Sequence, residues 1–287
     1  MASKKKDMHY PVVRTGRMNY TGPAVSPQIE MNADQFLSKV NRRLYRQSRN
    51  YSLKLDVDPN ATQIYNVFVL NDSWMTERAL KMAYDAYREA TQEERDRLKD
   101  NAIARWSDFR VDSGQGYQQL NPVQFSNTLA PTQLAAGDFQ LAAVSDSTGQ
   151  SRTWTWGNGT ASKYGILQEY DKAGNAQKSP NTSTGDMPYD ELMADDSAFT
   201  AAALQQRGDE PPYDADGVND DRKWIKVATL NATANGQKLS TGFFTAPCGI
   251  VLISAGLSGD EVVDASFIEW TAKSGDYKGV HAPSLLE

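Results

Sequence analysis

In "YSLKLDVDP", residues 51–59, every second side chain is apolar: Tyr51, Leu53, Leu55 and Val57 alternate with Ser52, Lys54, Asp56 and Asp58. A period of two places those groups on opposite faces of a strand, one buried and one wet. Pro59 ends it, since proline donates no ladder hydrogen bond. The next run, "QIYNVFVLN" at 63–71, is a second and more apolar strand. Farther on, strand patterns recur at Ile103–Val111, Phe139–Val144, Arg152–Trp156, Tyr164–Tyr170, Trp224–Leu230, Gly242–Thr245, Gly249–Ala255 and Ser266–Ala272. The gaps between them are rich in Gly, Pro, Ser, Asn and Asp.

Helical spacing is found in two main places. Residues 32–50, "NADQFLSKVNRRLYRQSRN", put Phe36, Val40 and Leu44 on one face, with Asn32 and Gln35 as a capping-box pair. Residues 71–101 form the clearest helix, capped by Asp72 or Ser73, with Met75, Ala79, Met82, Ala83, Ala86 and Ala90 as its expected apolar stripe. Thr91 and Glu94 repeat the capping pattern, so a break is expected there. A shorter helix is expected from Tyr189 to Gln206. No βαβ alternation is visible. The expectation is a mainly β chain, a sandwich or jelly roll rather than a parallel α/β sheet.

The chain has 287 residues and a net charge of −6, and the charge is unevenly spread. Residues 1–50 hold ten Lys/Arg against Asp7, Glu30 and Asp34, a net of +7, which leaves −13 for the remainder. Residues 1–31 carry Pro11, Gly16, Gly22, Pro23 and Pro27 and no sustained periodicity, so they read as an extended arm. Residues 1–49 are therefore expected to form a basic arm with a short amphipathic helix. Lys4, Lys5, Lys6, Arg14, Arg17, Lys39, Arg42, Arg43, Arg46 and Arg49 would neutralise phosphates without reading sequence. Tyr10, Tyr20 and Tyr45 are interleaved and could stack on unpaired bases. A solubilising tail and a lipid-facing amphipathic helix are the competing readings. The body is expected over 50–272, with a helical insertion at 72–101 and a long acidic loop insertion at 171–222, followed by a tail at 273–287.

Chemistry-bearing motifs are few. Cys248, the single cysteine, precedes a β-branched run rather than a helix, and the sequence around it is no nucleophile elbow. It reads as a small buried hydrophobe. Only two histidines, His9 and His281, are present, one near each end. Asp214, Asp216, Asp220 and Asp221 cluster, but the sixth and twelfth positions counted from Asp214 are Asn219 and Ile225, which fails the calcium-loop pattern. No cofactor or catalytic residue is expected and no metal ligand is assigned, a calcium ion held by this acidic loop at a subunit contact being the alternative reading. Trp154 and Trp156 fall on one strand face ahead of a Gly157-Asn158-Gly159 turn; buried they are core or subunit interface, exposed they would be a glycan platform. No apolar run approaches the ~20 residues of a membrane span. The charged start is not followed by an apolar stretch, so no secretory signal is expected.

Three places together resemble the jelly-roll major capsid proteins of small icosahedral viruses and phages. They are the Lys/Arg-rich arm, the helix-bearing insertion after "QIYNVFVLN", and the closing pair "GFFTAPCGIVLIS" and "DASFIEWTAKSGDYKGVHAPSLLE". The resemblance implies a single jelly-roll β-sandwich with helical insertions, two small stacked jelly rolls being the alternative. It also implies a structural, non-enzymatic protein of the virion, made in the host cytoplasm. Its partners would be its own copies in trimers or pentamers, the genome held non-specifically by the arm, minor capsid proteins and an internal lipid layer. The rival from another class is a carbohydrate- or receptor-binding β-sandwich module using Trp154 and Trp156.

Overall fold

The computed structural model describes residues 12–20, 28–57, 64–98, 106–114, 118–119, 122–125, 131–134, 139–145, 149–174, 223–231, 239–256 and 266–286. Lys4, Lys5 and Lys6, the expected helix at 189–206, and the acidic loop from residue 175 to 222 lie outside the described residues.

The protein is mainly β and built on two antiparallel sheets. Eight successive stretches of chain make them: β1 (Thr15–Tyr20), β2 (Gln28–Asn32), β3 (Asn50–Val57), β4 (Ile64–Leu70), β11 (Trp224–Asn231), the interrupted pair β12 (Leu239–Ser240) and β13 (Phe244–Pro247), β14 (Ile250–Gly256) and β15 (Ser266–Ala272). The first pairs with the last, β1 with β15. The second pairs with the second-last, β2 with β14. Then β3 takes β12 and β13, and β4 takes β11. Lateral pairing of β15 with β3 and of β14 with β4 completes the two sheets. Apart from the step from β4 to β11, each step along this series crosses from one sheet to the other. Neither sheet closes into a barrel.

The alternation in residues 51–57 is what seats β3. Tyr51, Leu53, Leu55 and Val57 are all buried, while Ser52 and Lys54 are not; Asp56, expected on the wet face, is buried as well and pairs with Lys54 at 2.8 Å. With Ile268 and Trp270 of β15 beside them in the same sheet, the four apolar side chains face Tyr65, Val67 and Val69 of β4 and Val251 and Ile253 of β14 across one inter-sheet core. Gly16 of β1 lies opposite Trp270, and a Cβ there would sit 2.8 Å from the indole ring. The missing side chain is what lets β1 close onto β15.

The turn between β13 and β14 carries the chain from one sheet to the other. Gly249 N–H donates to the Ala246 carbonyl (3.0 Å), with Cys248 and Gly249 both at positive φ (57° and 68°). A Cβ on Gly249 would stand 3.0 Å from Tyr51 and 3.2 Å from Ala33, so glycine is favoured both by the close contacts and by the positive φ.

Between β4 and β11 the chain makes a long excursion. Helix α2 (Trp74–Ala90) starts at Ser73, whose hydroxyl accepts from the Thr76 N–H. It breaks at Thr91, where a new helix, α3 (Gln92–Leu98), begins as the repeated capping pattern anticipated. The buried stripe of α2 is Thr76, Ala79, Leu80 and Ala83, rotated from the expected one; Ala86 and Ala90 are exposed. Strands β6 (Pro122–Phe125) and β7 (Pro131–Gln133) extend the larger sheet beyond β1, and β5 (Gln118–Gln119) adds to the other beside β2. A small third sheet joins β8 (Ala143–Ser145), β9 (Ser151–Thr155) and β10 (Lys163–Gly165). Phe109, Val111, Trp154, Trp156 and Leu80 form a second core against Leu70 and Ile250 of the sandwich.

Four expectations change. Residues 15–20 and 28–49 are not an arm: they supply β1, β2 and helix α1 (Ala33–Asn41), and Met18, Ile29, Met31, Phe36, Leu37 and Tyr45 are in the main core. Residues 273–286 do not leave the body: Val280, Ala282 and Leu285 are buried, and Asn50 and Ser52 N–H groups donate to Pro283 and His281 carbonyls. Tyr164–Tyr170 is β10 followed by helix α4 (Ile166–Gly174), because Ile166, Leu167 and Tyr170 fit a helical face among good helix formers. The described part of the 103–111 candidate, residues 106–111, forms no strand.

Candidate nucleic-acid interface

The cations singled out in the sequence are divided among different tasks. Arg17 is spent on the wet face of the larger sheet, where it donates from Nε and Nη2 to Glu269 Oε1 at 2.9 and 2.7 Å. Arg46 pairs with Asp108 at 3.3 Å. Arg49 stacks on the Tyr277 ring, 3.6 Å from its centroid, and donates to the Ala282 carbonyl. Arg14 is half-buried, and its carbonyl accepts from the Ala272 N–H. Tyr45 is fully buried and bonds the Lys278 carbonyl, so it offers no face to a base.

Lys39, Arg42 and Arg43 are brought together. Helix α1 ends at Arg42, whose N–H caps the Ser38 carbonyl from a left-handed conformation (φ 52°). Glycine usually holds that position, because a side chain there costs about 1–2 kcal/mol. The three cations line one wall of a cleft of about 680 Å³. The rest of the lining includes Tyr87, Trp106, Ser107, Asp108 and Arg110, and residues 139–143. Trp106 stands in this cleft 64% exposed. Lys39 lies over the Phe139 ring at 5.4 Å, and partial burial pulls its ammonium down to about 8, with Arg110 adding to the shift and Asp34 opposing it.

Beneath the cleft runs a buried polar network that the sequence did not reveal. Arg110 donates to Asp34 Oδ2 at 2.6 Å, both side chains being almost fully enclosed, and lies over Phe139 at 4.4 Å. Asp108 accepts from the Gln47 N–H at 2.9 Å. Burial raises the Asp34 and Asp108 carboxyls above the usual carboxylate range, with Arg110 working against it in both. Glu30 accepts from Ser113 (2.6 Å) and Asn32 (2.8 Å), and burial raises it too. The signal available beforehand was the alternation of Trp106, Asp108 and Arg110, which reads as the wet face of a strand.

Trp154 and Trp156 are 5% and 1% exposed, so neither presents a face to a sugar or to a neighbouring subunit. Trp154 is edge-on to Tyr87 and Phe109, with centroids 5.5 Å apart in both pairs. Cys248 is 1% exposed, as a small core residue should be, and burial pushes its thiol far up. Among the described residues no three His, Cys, Asp or Glu side chains are grouped to hold a metal ion. Among them, too, no helix is long and apolar enough to cross a membrane. Comparison of the chain with protein-family models, curated proteins and solved structures finds no match.

Proposed function

We propose that this chain is the major capsid subunit of a small icosahedral virus or phage, a non-enzymatic jelly roll that assembles with copies of itself around a genome. The observation that carries the reading is the pairing order. First strand with last, second with second-last, third with sixth and fourth with fifth is a long antiparallel ribbon wound into two sheets. That winding supports a single jelly roll, an architecture used for shells because both sheets and their connections form one rigid block. One inter-sheet core serves all eight stretches, which favours one jelly roll over two small stacked ones.

Trimers or pentamers are the building units on this reading, and subunit contacts fall to the excursion between β4 and β11 and to the sheet edges. Exposed apolar groups such as Trp74, Ile225 and Phe243 fit that role. On this reading cations such as Lys4, Lys5 and Lys6 neutralise genome phosphates, and the acidic stretch 186–221 is repelled by them. Minor capsid proteins and an internal lipid layer are further partners of this reading, and the virion is the location. The burial of Trp154 and Trp156 takes away the platform on which the carbohydrate-binding alternative rested.

Electron microscopy and light scattering of the purified full-length chain across a salt series test the proposal. Large closed particles are expected under at least one condition; monomers or small oligomers throughout overturn it. Removal of residues 2–11, which takes Lys4, Lys5 and Lys6 but none of the described core, is expected to reduce salt-sensitive nucleic-acid retention.

A further inference from the structure

We propose that Glu30 is a proton-operated latch between the smaller sheet and the excursion that follows β4: carrying a proton it closes the seam onto Ser113, and ionised it loosens that seam.

The seam follows from the alternation of β2. Ile29 and Met31 enter the main core, so Glu30 and Asn32 point from the opposite face. Ser113 of the excursion meets Glu30 there, 2.6 Å from Oε2. Glu30 is 5% exposed and is paired in register with Leu252 of β14 and Gln119 of β5. It borders a cavity of about 130 Å³ together with Asn32, Gln47, Arg110 and Asp112.

Both hydrogen bonds to the carboxyl come from neutral groups, the Ser113 hydroxyl and the Asn32 amide. Among the described residues Glu30 makes no ion pair. The cations around the seam are committed to other carboxylates: Arg110 to Asp34, Lys163 to Asp112, and Arg46 to Asp108. Lys39 of α1 lies over Phe139, and residues 139–141 bring no charge. An anion buried among neutral donors is costly. The neutral acid fits without loss. At 2.6 Å either oxygen of the Glu30–Ser113 pair can hold the proton, and Oε1 still accepts from Asn32. Asp34 and Asp108 are buried too, yet each keeps an arginine when ionised.

Burial raises the Glu30 carboxyl above the usual range; Ser113 and Asn32 work against this, and the charges of Asp112 and Asp34 add to it. A carboxyl raised on folding holds a proton that the unfolded chain has released. Its contribution to stability is therefore complete below about pH 4.3 and is lost as pH rises through the native value. Ionisation also draws water, for which the adjoining cavity has room for a few molecules, and water competes for the Ser113 bond.

The test follows amide exchange in the full-length protein from about pH 4 to 8. The reporters are Val111, Asp112 and Trp156, whose N–H groups donate to Gln47, Trp154 and Asp112. In the parent their protection factors are expected to fall by up to about tenfold per pH unit between the unfolded and native values, the signature of one proton released on opening. Glu30→Gln mimics the neutral acid. It is expected to flatten most of that slope and to exceed the parent's protection at the alkaline end. Flat or rising protection in the parent overturns the latch. So does a Glu30→Gln chain that keeps the parent's slope, which assigns the proton to Asp34 or Asp108, or one that fails to fold, which shows that the charge itself is needed.

Discussion

Asp34 has no access to water, and its carboxylate is held 2.6 Å from Arg110 in a setting that few ion pairs occupy. Taking two charges out of water is costly, and the pair is worth keeping only as a pair. Truncation of one partner therefore strands the other. Arg110→Ala is expected to cost about 3–5 kcal/mol in urea unfolding, because Asp34 is left buried and unmatched. The double replacement Asp34→Leu with Arg110→Met removes both charges and is expected to recover most of that loss. A single variant as stable as the parent would show that water reaches Asp34. The network also explains why the cleft was hidden in the sequence: its walls come from residues 38–44, 106–110 and 139–143, and only folding makes them neighbours. Lys39, Arg42 and Arg43 were visible as charge, but Trp106 could be recognised as exposed only once Phe109 and Val111 were seen to take the core positions beside it.

At the scale of elements, β1 separates the arm reading from the sheet reading. Gly16→Val pushes a branched side chain into the Trp270 indole, where a Cβ alone would already sit at 2.8 Å. The expected loss is about 1–3 kcal/mol, seen as a lowered melting temperature; an unaltered melt would put residues 15–20 outside the sheet. Strands β3, β4, β11, β14 and β15 were legible because several large apolar groups alternate or run together in each. In β1 the inward positions are Gly16 and Met18, too little apolar bulk to signal a strand, and its burial is supplied by Trp270 across the ladder. The return of residues 273–286 was equally silent. What fixes them is backbone pairing with Asn50 and Ser52 and the stacking of Tyr277 under Arg49, none of which has a period. The helix α4 was misread because its first residues, Ile166 and Leu167, continue an apolar run out of β10.

For the whole molecule, stability is concentrated where both edges of a strand are paired and both sheets contribute side chains. Amide hydrogen exchange is expected to be slowest in β3, β4, β14 and β15, and faster in β7 and β11 at the outer edges. Exchange in β3 and β15 as rapid as in β7 would contradict the sandwich as the stable unit. The two cores also differ in kind. One is shared by strands that pair across nearly the whole chain, the other is made mostly within the excursion that follows β4. Loop-closure entropy must be met before such distant strands reward one another, so folding on the millisecond-to-second scale is expected of the first. The place of β15 has a further consequence. It lies between β3 and β1, so a nascent polypeptide that has emerged only as far as residue 265 has a gap where the middle of its larger sheet belongs. The larger sheet is not complete on the ribosome until the strand that fills the gap arrives, so the full sandwich forms only after residues 266–272 have been made.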